Sequence, residues 1–189
     1  MTKEVDIQKA KKILLSGGII AYPTEGVFGI GCLPNNEIAI KKIIKLKQRN
    51  QNKGFILIAS DLIMLNNWIS PTTNELKNLC RISNSPITWI VCAAPKATDY
   101  LTGGRSTIAV RITKHPVVKA LCESVGSAII STSANLSGEE PIKSKYALRK
   151  LLQDKVDLIV TGELTDSLGP SEIRIAKNNH VLRDRQKLN

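Results

Sequence analysis

Strand-like and helix-like segments alternate along almost the whole chain, and this alternation narrows the architecture more than any single motif does. The stretch VDIQKAKKILLSGG reads as an amphipathic helix stopped by Gly17 and Gly18, and IIAYP after it as a short buried strand. EIAIKKIIKLKQR has helical spacing, with Ile38, Ile43, Ile44 and Leu46 as its apolar side, and GFILIA returns to strand. TNELKNLC predicts a helix, ITWIVCAA and STIAVRI predict strands, and HPVVKALCESVG predicts a helix with Pro116 near its first turn and Gly126 past its end. SAIIST (strand), KYALRKLLQD (helix), VDLIVTG and SEIRIA (strands) follow, and HVLRD adds a last strand. Such a pattern predicts one α/β domain built on a mixed sheet, over residues 1–185, with a C-terminal tail at 186–189.

The chain carries 27 Lys and Arg against 16 Asp and Glu, a net charge of +11, which favours anionic partners such as nucleotides, phosphates or nucleic acid. Aromatic residues make up only 4%, which argues against base stacking as the main binding device. Cys32, Cys80, Cys92 and Cys122 form no CxxC pair; Cys92 and Cys122 sit in apolar runs and are expected to be buried. With only His115 and His180 beside them, a zinc site is not supported. The first residues, MTKEVDIQKAKK, lack an apolar signal core, and no run approaches the ~20 apolar residues of a membrane span. A reducing cytoplasm and no membrane are the expectation.

Polar residues recur at the ends of strands. YPTEGVFGIG places Thr24 and Glu25 in a turn among glycines; it is not a P-loop, because GxxxxGK[ST] is absent. LKQRNQNKG holds Lys47, Arg49 and Lys53; it is either a solvated helix end or, if the helix stops near Lys47, a pair of cations converging on one anion. Arg111 lies inside an apolar strand, either facing out by alternation or reaching into a cleft as a carboxylate clamp. AIISTSANLSG groups Ser131, Thr132, Ser133, Asn135 and Ser137, which suit a turn or a polar cradle at the carboxyl end of a strand. Ser171 follows Gly169 and Pro170 in a turn, and His115, before Pro116, is expected to cap a helix. No GxSxG nucleophile or obvious acid–base pair appears. Anion holders without a nucleophile suit transfer at phosphorus, where positioning and charge stabilisation do most of the work.

Taken in order, YPTEGVFGIGC, LKQR with KGFILIA, LTGG with IAVRITKHP, STSANLSG and GPSEI resemble the YrdC/TsaC family, the threonylcarbamoyl-AMP synthases of tRNA modification. The family's KxR and SxN pairs are Lys47 with Arg49 and Ser133 with Asn135. Two positions depart from the family pattern: a Gly-Pro-x-Thr turn is Ser85-Pro86-Ile87-Thr88 here, and a frequent proline after the arginine is Asn50. The resemblance implies a YrdC-like fold, a twisted mixed sheet flanked by helices with a positively charged concave cleft.

The resemblance also implies the reaction. L-threonine, bicarbonate or CO2, and ATP give L-threonylcarbamoyl-AMP and pyrophosphate, with Mg²⁺ held mainly by the ATP phosphates. A transferase complex of the TsaD, TsaB and TsaE type then forms N6-threonylcarbamoyladenosine (t6A) in tRNAs reading ANN codons, with direct tRNA binding by this chain as a further expectation. By the same analogy Lys47 and Arg49 are catalytic and, with Ser131, Ser133, Asn135 and Arg183, bind ATP phosphates. Thr24, Arg111 and Ser171 bind threonine, and Lys53 and Arg174 are further candidates for the anionic face. The alternatives are a non-catalytic tRNA- or double-stranded-RNA-binding protein on the same fold, and a carbamoyl-transferring domain of the hydrogenase-maturation type.

Overall fold

The strands earn their burial by alternation. The computed structural model describes residues 2–81, 83, 85–165 and 169–184; the boundary expected at 185 and the tail at 186–189 lie outside them. Within β3 (Ile56–Ala59), Leu57 and Ala59 face one apolar cluster and Ile58 the other. In β6 (Ile129–Ser133) the neighbours Ile129 and Ile130 divide in the same way, as do Ile20 and Ala21 in β1 (Ile20–Pro23). Successive side chains point to opposite faces of a strand, so both faces of this sheet are covered.

One cluster is closed by α1 (Thr2–Leu15) and α5 (Pro116–Val125), through Ala10, Leu14, Val118 and Leu121. The other takes Ile40 and Ile43 from α2 (Glu37–Lys47), Leu79 from α3 (Thr73–Leu79), Leu101 from α4 (Asp99–Thr102) and Leu148 from α6 (Lys145–Leu152). The sheet also contains β2 (Phe28–Gly31), β4 (Ile87–Cys92), β5 (Thr107–Ile112), β7 (Leu158–Ile159), β8 (Glu172–Ile175) and β9 (Val181–Arg183). Among the described residues the strand order is β7-β1-β2-β6-β3-β5-β4-β8-β9. Pairing is mixed: β3 with β5, β4 with β8 and β1 with β7 run parallel, and the other pairs antiparallel. The expected mixed α/β fold is therefore present.

Three local readings change. The segment after the first strand is not only a turn: Phe28–Gly31 forms β2, between β1 and β6. Its glycines hid it, since glycine is a poor strand former. A Cβ at Gly31 would stand 2.0 Å from the Ile130 carbonyl oxygen, so the approach of β6 tolerates no side chain there. Ile38 is 70% exposed, while the buried stripe of α2 runs Ala39, Ile40, Ile43 and Lys47. The cysteines split differently from expectation: Cys122 is buried and so is Cys32, but Cys92 is half-buried and Cys80 exposed. Burial pushes the Cys32 and Cys122 thiols up to about 12.

Candidate functional site

A cleft of about 690 Å³ opens on the sheet, bounded by the β1–β2 turn, the segment joining α2 to β3, strands β5 and β6, and the turn before β8. Five cationic side chains line it: Arg49, Lys53, Arg105, Arg111 and Arg183. No carboxylate among the described residues does. Thr24, Ser131, Thr132, Ser133 and Ser171 supply hydroxyls to its wall, and Phe55, Ile56, Ile173 and Leu182 supply apolar surface. The structure thus brings together seven of the nine residues expected at a site.

The two that stay outside the lining are Lys47 and Asn135. Lys47 is 2% exposed because it falls on the buried stripe of α2, four residues beyond Ile43 and seven beyond Ile40. Its Nζ donates to the carbonyl oxygens of Ser133 and Asn135. Asn135 turns its Nδ2 to the carbonyls of Leu136 (2.8 Å) and Glu139 (2.6 Å). The expected convergence of Lys47 and Arg49 on one anion is not what this arrangement shows. The helix does end at Lys47, with Gln48 in the left-handed region (φ 50°); Lys47 stays on the buried stripe of α2, whereas Arg49, past that turn, lines the cleft. Each family pair therefore splits into a cleft-facing member, Arg49 or Ser133, and a supporting member behind it.

Burial pushes the Lys47 ammonium down to about 8, and the nearby charges of Arg49 and Lys53 act in the same direction. Arg49 is held across the cleft wall by the Gly54 carbonyl, with Nη2 at 2.8 Å and Nε at 3.2 Å, and its guanidinium lies 5.0 Å from the centre of the Phe55 ring. Asn50 caps the following short 3₁₀ turn (Gln51–Lys53) by accepting the Asn52 N–H at 2.9 Å, so this departure from the family pattern keeps a turn-forming residue.

Opposite lie the residues expected to hold threonine. The Thr24 hydroxyl donates to the Val27 carbonyl at 2.7 Å and is buried. The Ser171 hydroxyl pairs with that of Thr88 at 2.7 Å, and the Ser171 carbonyl accepts from Arg183 at 2.7 Å. Thr88 of the Ser85-Pro86-Ile87-Thr88 segment lies in β4, and through its hydroxyl it buttresses Ser171. Arg111 is buried, with its Nη2 3.5 Å from Glu25 Oε2. Burial raises the Glu25 carboxyl, but Arg111 and the Thr113 hydroxyl outweigh it and hold the group below its ordinary range. Arg174 is turned elsewhere, paired with Glu172 and 3.1 Å from Asn179 Oδ1.

His115 precedes α5 but does not cap it with its side chain. Its ring is buried, with Nε2 2.9 Å from the Glu163 carbonyl, and burial holds it below the usual histidine range. A second cavity, about 460 Å³, is lined by Glu25, Arg81, Ser83, Lys114 and His115 among others and shares no lining residue with the first. Sequence reasoning missed Arg105 and Phe55, although LTGG ends just before the first and KGFILIA contains the second, and it noted Thr88 only as part of a departure from the family pattern.

The Sua5/YciO/YrdC family model, described as "Telomere recombination", matches residues 12–184. A protein named threonylcarbamoyl-AMP synthase from Vibrio vulnificus (strain YJ016) is 40% identical over 181 residues, covering 94% of this chain and 97% of the relative. The structure of P. abyssi Sua5 complexed with L-threonine is similar with a TM-score of 0.81 and 27% identity, over 88% of this chain and 49% of that one. The structure of E. coli YciO is similar with a TM-score of 0.80 and 25% identity, over 99% and 91%.

Proposed function

The chain belongs to the Sua5/YciO/YrdC family, and on that premise we propose that the cationic cleft is where it makes threonylcarbamoyl-AMP. L-threonine, bicarbonate or CO2, and ATP are joined into L-threonylcarbamoyl-AMP with release of pyrophosphate. The adenylate serves t6A modification of tRNA. The observation that carries the site is the lining itself: five cations, a row of hydroxyls and no carboxylate among the described residues. A polyphosphate and an amino acid carboxylate are both anions, and this wall repels neither.

The chemistry needs little more than placement. The threonine amine takes up CO2 and loses a proton, giving a carbamate. A carbamate oxygen then attacks the α-phosphorus, the bond from that phosphorus to the bridging oxygen breaks, and pyrophosphate leaves. The nucleophile is already anionic, so no activated serine is required. The barrier is the approach of one anion to another. Arg49 and Lys53 stabilise the departing pyrophosphate, and Arg183 adds charge at the other end of the cleft. Ser131 and Ser133 hold phosphate oxygens, while Lys47 and Asn135 keep the turn that presents them. Arg111 forks the threonine carboxylate, with Thr24 and Ser171 beside it.

Mg²⁺ fits this site as a guest of the substrate. The lining offers hydroxyls and guanidinium groups rather than a cage of carboxylates, so the ion would be held by the phosphates, with Ser131, Thr132 or Ser133 as the available oxygen donors. When bound it would neutralise phosphate charge. The product is handed to a transferase complex of the TsaD, TsaB and TsaE type, and exposed basic residues give tRNA an electrostatic route to this chain.

Mass spectrometry tests the reading. Purified protein is mixed with ATP, Mg²⁺, bicarbonate and L-threonine, and each is omitted in turn. An adenylate of threonylcarbamoyl mass that requires all four supports it. Folded, ATP-binding protein that yields no adduct overturns it and favours the RNA-binding alternative.

A further inference from the structure

We propose that Glu25, which does not line the cleft, is a positioning residue for the threonine carboxylate: it fixes the Arg111 guanidinium in the cleft wall. The inference rests on the reading of Arg111 as the carboxylate clamp. Glu25 lies in the β1–β2 turn and lines only the second cavity, whereas Arg111 lies on β5 and lines only the first. The pair therefore spans the wall between the two.

Glu25 is itself held in place. Its Oε1 accepts the Thr113 hydroxyl at 2.6 Å, and the Thr113 oxygen in turn accepts the His115 N–H at 3.0 Å. Its Oε2 has no hydrogen-bond donor among the described residues and stands 3.5 Å from Arg111 Nη2. The carboxylate is thus pinned through one oxygen and offers the other as a charge anchor. Both side chains are nearly closed to solvent, 8% exposed for Arg111 and 12% for Glu25, so their attraction is weakly screened.

That anchor leaves Arg111 with bonding capacity. Its Nε is buried and has no acceptor among the described residues. Nε itself is closed off, but Arg111 lines the cleft, and a planar guanidinium fork anchored from behind is suited to a ligand carboxylate there. Charge points the same way. Arg183 feels the Arg111 charge, so this end of the cleft holds two guanidinium groups against one carboxylate. A ligand carboxylate brings the balance to zero. Without Glu25 the site would carry two uncompensated cations, and Arg111 would gain by turning away from Arg183.

Steady-state kinetics with each substrate varied separately tests this, with thermal unfolding measured on every variant. Glu25→Gln keeps an acceptor for Thr113 but removes the charge. It is expected to raise KM for threonine about tenfold while KM for ATP stays within about twofold, and Glu25→Asp to recover part of the loss. A purely structural role would lower the active fraction and leave both KM values alone. Should Glu25→Gln fail to fold, Thr113→Val, which keeps the charge but frees the carboxylate, carries the test: a selective rise in KM for threonine supports the inference and an unchanged KM overturns it. Arg111→Ala separates the two layers. If it raises KM for threonine and folded Glu25→Gln does not, the positioning role is wrong and the clamp stands. If Arg111→Ala itself leaves that KM unchanged, the clamp reading is overturned, and the inference with it.

Discussion

Lys47, at the last position of α2, donates through Nζ to the backbone carbonyl of Ser133, the last residue of β6. A second bond from the same nitrogen reaches the carbonyl of Asn135. One buried cation therefore ties the end of a helix to the strand and turn that carry the cleft hydroxyls. Lys47→Met fills much of the volume but leaves two carbonyls without their donor. It is expected to lower stability by about 2 kcal/mol or more, as buried acceptors left unsatisfied do. Chemical denaturation measures this, with Lys41→Ala as the comparison. Lys41 is an exposed partner of Glu37, and its loss should change stability little.

The same lysine sets a pH dependence. Its folded-state value is lowered to about 8, below the ordinary lysine value of about 10.4. Between those two values the unfolded chain binds more protons than the folded one, so this group adds stability as pH rises through that window. The neutral amine still has two N–H bonds for its two carbonyls. Denaturation at several pH values from 7 to 10 should show wild type gaining on Lys47→Met as pH increases. A difference that is flat across the window would contradict the buried, depressed ammonium.

Gly26 marks a second joint of the cleft. A Cβ there would stand 1.9 Å from the Gly169 carbonyl oxygen, which is backbone and has little freedom to retreat. Gly26→Ala should therefore push the β1–β2 turn, with Thr24 and Glu25, away from the turn that carries Ser171. A cost of about 1–3 kcal/mol is expected, as for other overpacked sites, together with a loss of threonine affinity. Thermal unfolding and threonine titration measure the two effects.

Glu75 supplies the contrast. It is 3% exposed, and its carboxylate accepts from Thr72 N at 2.8 Å and from Cys92 N at 3.1 Å, capping α3 and tying it to the end of β4. Burial acts to raise its carboxyl, but the bonds from Thr72 and Cys92 prevail and hold it low. Glu75→Ala should cost about 2 kcal/mol from the lost cap and the buried N–H left without an acceptor. Because Glu75 does not line the cleft, the turnover of the folded fraction should be unchanged, as kinetics corrected for active protein would show.

Much of this was legible in the sequence, and particular residues show where legibility stopped. The alternation of apolar runs revealed the α/β architecture, because period-2 and period-3.6 patterns survive without any knowledge of tertiary contacts. Phe28–Gly31 was lost as a strand since its glycines answer to the neighbouring Ile130 backbone rather than to local propensity. Arg49, Arg111, Ser131 and Ser171 were singled out and all line the cleft. Lys47 was singled out too, but spacing along a chain does not say which of two cations follows the core face of a helix. Glu25 was noticed only as a turn residue. Its partners, Arg111 and Thr113, are distant in the chain and meet it only after the sheet has formed.

If cleft-facing charge, rather than basic character in general, makes the adenylate, then removing a cation that lines the cleft must slow the reaction and removing an outward-facing one must not. The direct measurement is pyrophosphate release from ATP that depends on threonine and bicarbonate, made on wild type, Arg49→Ala and Lys41→Ala, with folding checked for each. Loss of one charge-assisted contact of ~3 kcal/mol to the transition state slows turnover roughly 100-fold. Arg49→Ala should fall by about that factor with its fold intact, and Lys41→Ala should match wild type. Similar rates for all three proteins would contradict the account.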